Sequence, residues 1–252
     1  MPCTVCRARV PQAAIVLTRP SSNVNIAGTW VDNWGGYVTV NNNYWYTGTS
    51  YGDNYNTIHS FTSNGDNTGT IIFQTSPTAY NPNTWSKIQY HAVGTGFGYC
   101  TTAYGQASAQ AAIDYEGVYD ATDAAAGCGE SGFSHSVATP YDMPITGSWT
   151  DNWGTSLSIT NTVYTSGTTE HAIELYTATY FVYKVPTTAE YNPGTYSKIQ
   201  FHTVGNGFGY CTSVYGAATA HEALTTVGVY NSSDASGGCG SSGFAHSVAS
   251  PA

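Results

Sequence analysis

Apolar and polar residues alternate along most of the chain, the period of strands with one buried face. In "IHSFTSNGDNTGTIIFQTS" (58–76) two alternating runs flank Asn64-Gly65, a pair suited to a tight turn, and predict a hairpin. "SKIQYHAVGTGFGYCTTAY" (86–104) predicts a second hairpin, turning at Gly94-Thr95-Gly96. Two short stretches break the alternation and suit helices: "SAQAAIDYE" (108–116) and "TAHEALTT" (219–226). The second opens on a capping box, Thr219 with Glu222. The remainder reads as a strand meander.

The pattern occurs twice. "YNPNTWSKIQYHAVGTGFGYCTTAYG" begins at Tyr80 and "YNPGTYSKIQFHTVGNGFGYCTSVYG" at Tyr191. The match runs on to Pro140 and Pro251, with 38 of 61 aligned positions identical. Upstream, "IAGTWVDNWG" (26–35) matches "ITGSWTDNWG" (145–154). The offset is 119 residues there and 111 downstream, so the first copy carries eight extra residues. Composition places them in a surface loop, "YTGTSYGDNYN" (46–56). The expected organisation is an N-terminal arm (1–25), copy 1 (26–140), a linker "YDMP" (141–144) and copy 2 (145–252). So short a linker predicts that the copies touch. The expected fold class is all-β, mainly antiparallel. Each copy forms a small barrel or sandwich with one short helix and one disulfide.

The arm holds a run that belongs to neither copy: Ala13, Ala14, Ile15, Val16 and Leu17. It is too short to span a membrane, which takes about 20 apolar residues. It is also too short for a signal-peptide core, and no A-x-A site follows closely. Ile15 and Leu17 point one way and Ala14 and Val16 the other, so both faces are apolar, as in a strand buried on two sides. Pro11 and Pro20 delimit it. Such a strand could complete a sheet in the next molecule and propagate head to tail into a homopolymer, a fibre or surface assembly. The alternative is that it pairs with its own domain.

Charge excludes some functions. Only 8% of residues are charged and the formal net charge is −9, with six Lys and Arg in all. No basic face for nucleic acid can be built from so few cations. The scarcity of charge and the lack of a repeated acid–base pair argue against a hydrolase, so the protein is expected not to be an enzyme. No motif calls for a cofactor or a metal. "GTSYG" (48–52) fits the nucleophile-elbow pattern, but an elbow needs a strand-to-helix turn that this region lacks. "GTGFG" (94–98) closes a hairpin and opens no helix, which removes a dinucleotide site.

Cys100 and Cys128 are 28 residues apart, as are Cys211 and Cys239. The duplication favours one bridge within each copy, against four buried thiols. Cys3 and Cys6 are expected to pair locally or between molecules. Disulfides and a polar composition point outside the cell, to an extracellular or cell-surface protein. Asn231-Ser232-Ser233 is a glycosylation sequon.

Two sets of residues recur as candidate sites. His91 and His135 match His202 and His246, and their plainer reading is as core histidines. Trp30, Asp32 and Trp34, with Trp149, Asp151 and Trp153, fall on one face of a regular strand. A carboxylate between two indoles could hold a sugar by stacking and by accepting from hydroxyls. The competing reading makes the tryptophans core and the aspartate a turn cap. On the sugar reading the protein is a bivalent, lectin-like binder of glycans.

The pattern G-[ST]-W-x-D-N-W-G, Y-N-P-x-x-[WY]-S-K, G-Y-C and G-C-G resembles small secreted or lipoprotein-type bacterial β-domains of uncharacterised function, over residues 26–140 and 145–251. The resemblance implies export and a disulfide between the matched cysteines, and carries no known activity. The opening Gly-x-Trp also resembles the start of lipocalin and avidin barrels.

Overall fold

The structure, a computed structural model, describes residues 23–49, 52–64, 68–129, 132–240 and 243–252. The run Ala13–Leu17 and the cysteines Cys3 and Cys6 lie outside the described residues.

Each copy is a closed eight-stranded barrel. Copy 1 contains β1 (Gly28–Asp32), β2 (Tyr37–Val40), β3 (Tyr44–Thr49), β4 (Gly52–Asn64), β5 (Thr68–Gln74), β6 (Trp85–Val93), β7 (Gly96–Gln106) and β8 (Ser136–Pro140). A short helix, α1 (Ala109–Asp114), follows β7. Copy 2 repeats the order with β9 (Gly147–Asp151), β10 (Ser156–Ile159), β11 (Val163–Ser166), β12 (Thr169–Tyr176) and β13 (Tyr180–Lys184). It ends with β14 (Tyr196–Val204), β15 (Gly207–Ala217), α2 (Ala220–Thr225) and β16 (Ser247–Pro251). Within each copy every strand pairs antiparallel with the next, and β8 returns to β1, as β16 returns to β9. This is the up-and-down meander by which a sheet removes its own edges.

The barrel interiors are packed with side chains. Trp45, Tyr90, Phe97, Ile71 and Ile88 fill the first, and Phe181, Ile199, Phe201 and Phe208 the second. Trp30 meets Phe97 edge-on at 5.0 Å, and Trp149 meets Phe208 at 5.1 Å. Each of these indoles also donates to a backbone carbonyl four residues earlier, of Ile26 and Ile145. Copy 1 reaches back before residue 26: Val24 is buried in its core, as Met143 is in the core of copy 2. Residues 141–144 are therefore part of the second barrel's base, and the Tyr176 hydroxyl donates to the Tyr141 carbonyl (2.7 Å).

The helices are six residues long and depend on their caps. Ser108 Oγ accepts from the Ala111 N–H, and Thr219 Oγ1 from the Glu222 N–H. Glu222 reaches back to the Ala218 N–H (2.8 Å), one residue before the partner a capping box prescribes. At the other end a buried lysine from the sheet takes the free carbonyls. Lys198 Nζ donates to Leu224 and Thr226 (3.0 and 2.7 Å), and Lys87 to Ile113 and Tyr115. Burial lowers both lysines' pKa. The repeated "SKIQ" thus holds each helix on its barrel. One disulfide per copy, Cys100–Cys128 and Cys211–Cys239, ties the seventh strand to the loop beyond the helix.

The expected surface loop 46–56 is instead mostly strand. β3 and β4 pair from Tyr44↔Thr57 out to Thr49↔Gly52, whereas the copy-2 hairpin closes at Ser166↔Thr169. The outer face of this longer hairpin packs on copy 2. Tyr44 and Tyr46 join Leu175, Val182, Ala220 and Leu224 in one buried cluster. The Tyr46 hydroxyl bridges Asp53 Oδ1 (2.8 Å) and the Tyr180 hydroxyl (2.6 Å). Tyr44 stacks on Tyr55 and donates to the Glu174 carbonyl, and Tyr55 lies against His221 (4.9 Å).

Candidate functional site

The repeated "DNWG" closes the turn between the first two strands of each barrel, and three of its four residues have structural work there. Asp32 Oδ1 accepts from the N–H groups of Trp34 and Gly36 (3.0 and 2.8 Å), and Asp151 does the same for Trp153 and Thr155 (3.0 and 2.7 Å). The second carboxylate oxygen accepts from a tyrosine hydroxyl: Tyr99 to Asp32 (3.0 Å) and Tyr210 to Asp151 (2.9 Å). Asn33 and Asn152 extend the barrel's closing ladder, each exchanging hydrogen bonds with the valine of the last strand. Gly35 and Gly154 adopt φ of +79° and +81°, where a side chain would be strained.

The tryptophan is the exception. Trp34 and Trp153 are each 72% exposed. The three residues expected on one face are thus separated. Trp30 and Trp149 pack against the core, Asp32 and Asp151 clamp the turn, and Trp34 and Trp153 stand in solvent.

Each copy has a cleft over its seventh strand, of about 450 Å³ in copy 1 and 430 Å³ in copy 2. In copy 1 the disulfide Cys100–Cys128 lines it, with Tyr99, Tyr104, Phe133 and Ser136. In copy 2 the counterparts are Cys211–Cys239, Tyr210, Tyr215, Phe244 and Ser247. The Trp153 indole N–H donates to Ser247 Oγ (3.2 Å), which places that ring at the cleft's rim. Tyr104 and Tyr215 are 63% and 66% exposed, and Phe133 and Phe244 are both 66%. Each cleft is therefore lined by the same two exposed rings, a tyrosine and a phenylalanine, and in copy 2 the Trp153 indole stands at the rim. Exposed rings beside a polar floor suit a ligand with one apolar and one hydroxylated face. Burial pushes the Tyr99 and Tyr210 hydroxyls well above the ordinary phenol value, with the Asp32 and Asp151 carboxylates adding to the rise, so they remain hydrogen-bond donors.

The recurring histidines lie elsewhere, on the sheet under the 117–135 loop and its copy-2 equivalent. His91 Nδ1 and the Tyr119 hydroxyl share a hydrogen bond (2.7 Å), as do His202 and Tyr230 (2.7 Å). His135 and His246 are buried and pack ring-to-ring on these pairs. The edge of His91 lies on Gly98, where a Cβ would stand 2.6 Å from the ring, and His202 lies likewise on Gly209. Among the described residues no three His, Cys, Asp or Glu side chains come together as a metal site. Burial lowers the pKa of His91 and His202, and the second histidine of each pair lowers it further. Burial also lowers His171 and His221. The unfolded chain, titrating near the ordinary value of about 6.5, takes up protons that the native state refuses. Stability is therefore full above that value and falls as the pH drops through it. We expect a lower melting temperature at pH 5 than at pH 7.5, and a shallower dependence in His91→Gln/His202→Gln. Equal slopes for the variant and the wild type would refute the assignment. Asp120 and Asp234, whose pKa values local hydrogen bonds lower, act only at more acid pH.

Other sequence candidates fall into structural roles. "GTSYG" sits at the β3–β4 connection, between two strands, and Ser50 is outside the described residues. Asn231 of the sequon is exposed in a turn and accepts from Ser233. The residues that sequence reasoning missed are the cleft aromatics Tyr104, Phe133, Tyr215 and Phe244. Their signal is the recurrence of large rings at matching positions of both copies.

Fold and site together define a tandem of closed β-barrels carrying twin aromatic clefts. Compared with known proteins, the chain matches no family model, no curated protein and no solved structure.

Proposed function

We propose that this is a non-enzymatic extracellular or cell-surface protein that binds glycans bivalently, one at each aromatic cleft. The observation that carries the reading is the pair of tryptophans, Trp34 and Trp153. Each is 72% exposed on an otherwise well-satisfied turn, and Trp153 bonds Ser247 of the cleft that Tyr215 and Phe244 line. A pyranose ring can stack on the indole while its hydroxyls meet Ser136 or Ser247 and the tyrosine hydroxyls. Two sites on one chain raise avidity on a polyvalent surface without any new contact. The two disulfides and the absence, among the described residues, of a helix long and apolar enough to cross a membrane fit this setting.

Self-assembly through Ala13–Leu17, the other expectation, rests on residues outside the described ones. The described strands close into two barrels and offer no unpaired edge to a donated strand. Glycan binding is the reading whose candidate residues lie among the described ones.

A glycan array followed by calorimetry tests it. Trp34→Ala or Trp153→Ala alone should weaken binding to a polyvalent glycan surface by roughly tenfold or more, and the double variant should abolish it. The melting temperature should not change, because both rings are exposed. A wild-type protein that binds no glycan on the array ends the reading.

A further inference from the structure

The two barrels meet through unlike faces. Copy 1 contributes the outer face of β2–β4, with Tyr44, Tyr46 and Tyr55. Copy 2 contributes the outer face of β12–β13 together with α2, where Leu175, Val182 and Leu224 are buried beneath those rings. Copy 1 has the corresponding face too, formed by β4–β5 and α1. No described residue covers it, and it opens as a groove of about 560 Å³ lined by Ser60, Thr62, Thr70, Ile72, Gln110 and Ile113.

We propose that this groove is the seat of the chain's own N-terminal run, Ala13–Leu17. The equivalent face on copy 2 carries an apolar cover, so the geometry of this surface is one that accepts side chains from above. A second copy of the chain is poorly suited to supply them in the same way. Its Tyr44 and Tyr46 are already buried in its own copy 2. Copy 2 has Ser156, Val163 and Thr165 where copy 1 has Tyr37, Tyr44 and Tyr46, so its matching face lacks the rings.

The run, in contrast, consists only of apolar residues, and the chain that follows it is tethered nearby. Asn25 donates to Ser63 Oγ and to the Asn64 carbonyl, immediately after groove-lining Thr62. The six residues from Leu17 to Asn23 span up to about 20 Å when extended, enough to reach along a two-turn helix about 10 Å long. Charge favours the same place. All three arginines of the chain, Arg7, Arg9 and Arg19, flank this run, and residues 1–22 contain no acid. Asp114, on the groove wall, accepts from Gln110 through one oxygen, and it and Glu116 just beyond outnumber the groove cation Lys87, leaving carboxylate charge for those arginines.

Photo-crosslinking of the full chain decides it. Benzoylphenylalanine is placed at position 17 in equal amounts of unlabelled and ¹⁵N-labelled protein, and crosslinked peptides are read by mass spectrometry. Links to peptides containing residues 60–72 or 110–114, within one isotopic form, are expected. Mixed-isotope links at the groove would put a second copy there and overturn the proposal. Links elsewhere, or none to protein, would overturn it as well. Ile113→Glu, which puts a charge on the groove floor, should lower the crosslink yield about tenfold. An unchanged yield in that variant, with the fold intact by circular dichroism, would count equally against it.

Discussion

Tyr46→Ala will separate the melting of the two barrels. Tyr46 is fully buried, and its ring sits in the cluster formed with Leu175 and Val182. Its hydroxyl is held between Asp53 and Tyr180, and burial, with those two neighbours, drives its pKa far above the phenol range. Truncation removes the ring from a packed contact and strands two polar partners, a loss of about 3–5 kcal/mol. The wild type should melt in one calorimetric transition and Tyr46→Ala in two, with the first clearly lowered. Tyr46→Phe keeps the ring and loses only the bridge, so it should cost about 1–3 kcal/mol and leave one transition. A Tyr46→Ala protein that melts in one transition at the wild-type temperature would show that the contact does not couple the barrels.

Removing a disulfide should have an effect of similar size confined to one copy. The two bridged cysteines of each copy are 28 residues apart, and opening a loop of that length costs about 3–4 kcal/mol in the chain-entropy model. Cys100→Ala/Cys128→Ala should lower the urea midpoint of copy 1 and leave copy 2 unchanged, and the converse pair should do the reverse. The same bridge lines the cleft, so each double variant should also lose its copy's glycan site while the other persists. Unfolding midpoints that do not move would mean that the 117–133 loop is held by its hydrogen bonds alone.

Much of this was legible in one dimension, and the reasons are local. Strand period and the Gly94 turn are properties of neighbouring residues, and the structure has the β6–β7 hairpin there with Gly94 at φ +55°. The helix caps Ser108 and Thr219 act within three residues. The duplication itself singled out the cysteine pairs, because a bridge within each copy repeats in both. The composition of "YTGTSYGDNYN", rich in glycine, asparagine and threonine, suits a loop, while the aromatic run Tyr44-Trp45-Tyr46 that leads into it signals a strand with both faces covered. Which surface covers the outer face is a fact about copy 2, more than a hundred residues away.

The candidate site divides the same way. Residue spacing put Trp30, Asp32 and Trp34 on one face because it assumed an unbroken strand. The Asp32 turn ends the strand at that residue, so Trp34 swings out while Trp30 stays on the core. Phe133 reaches the cleft beside Tyr104 of β7 because the disulfide and the pairing of β8 with β7 bring its loop back over that strand.

By itself, then, the sequence determined the strand-rich class, the twofold repeat, the turns, the caps and the bridged cysteines, all set by short-range stereochemistry or by internal repetition. Only the tertiary structure decided that each meander closes into a barrel, that the barrels dock through unlike faces, and that one tryptophan in each turn stands exposed. Those features depend on which distant surfaces exclude water from each other, and that is settled by packing in three dimensions.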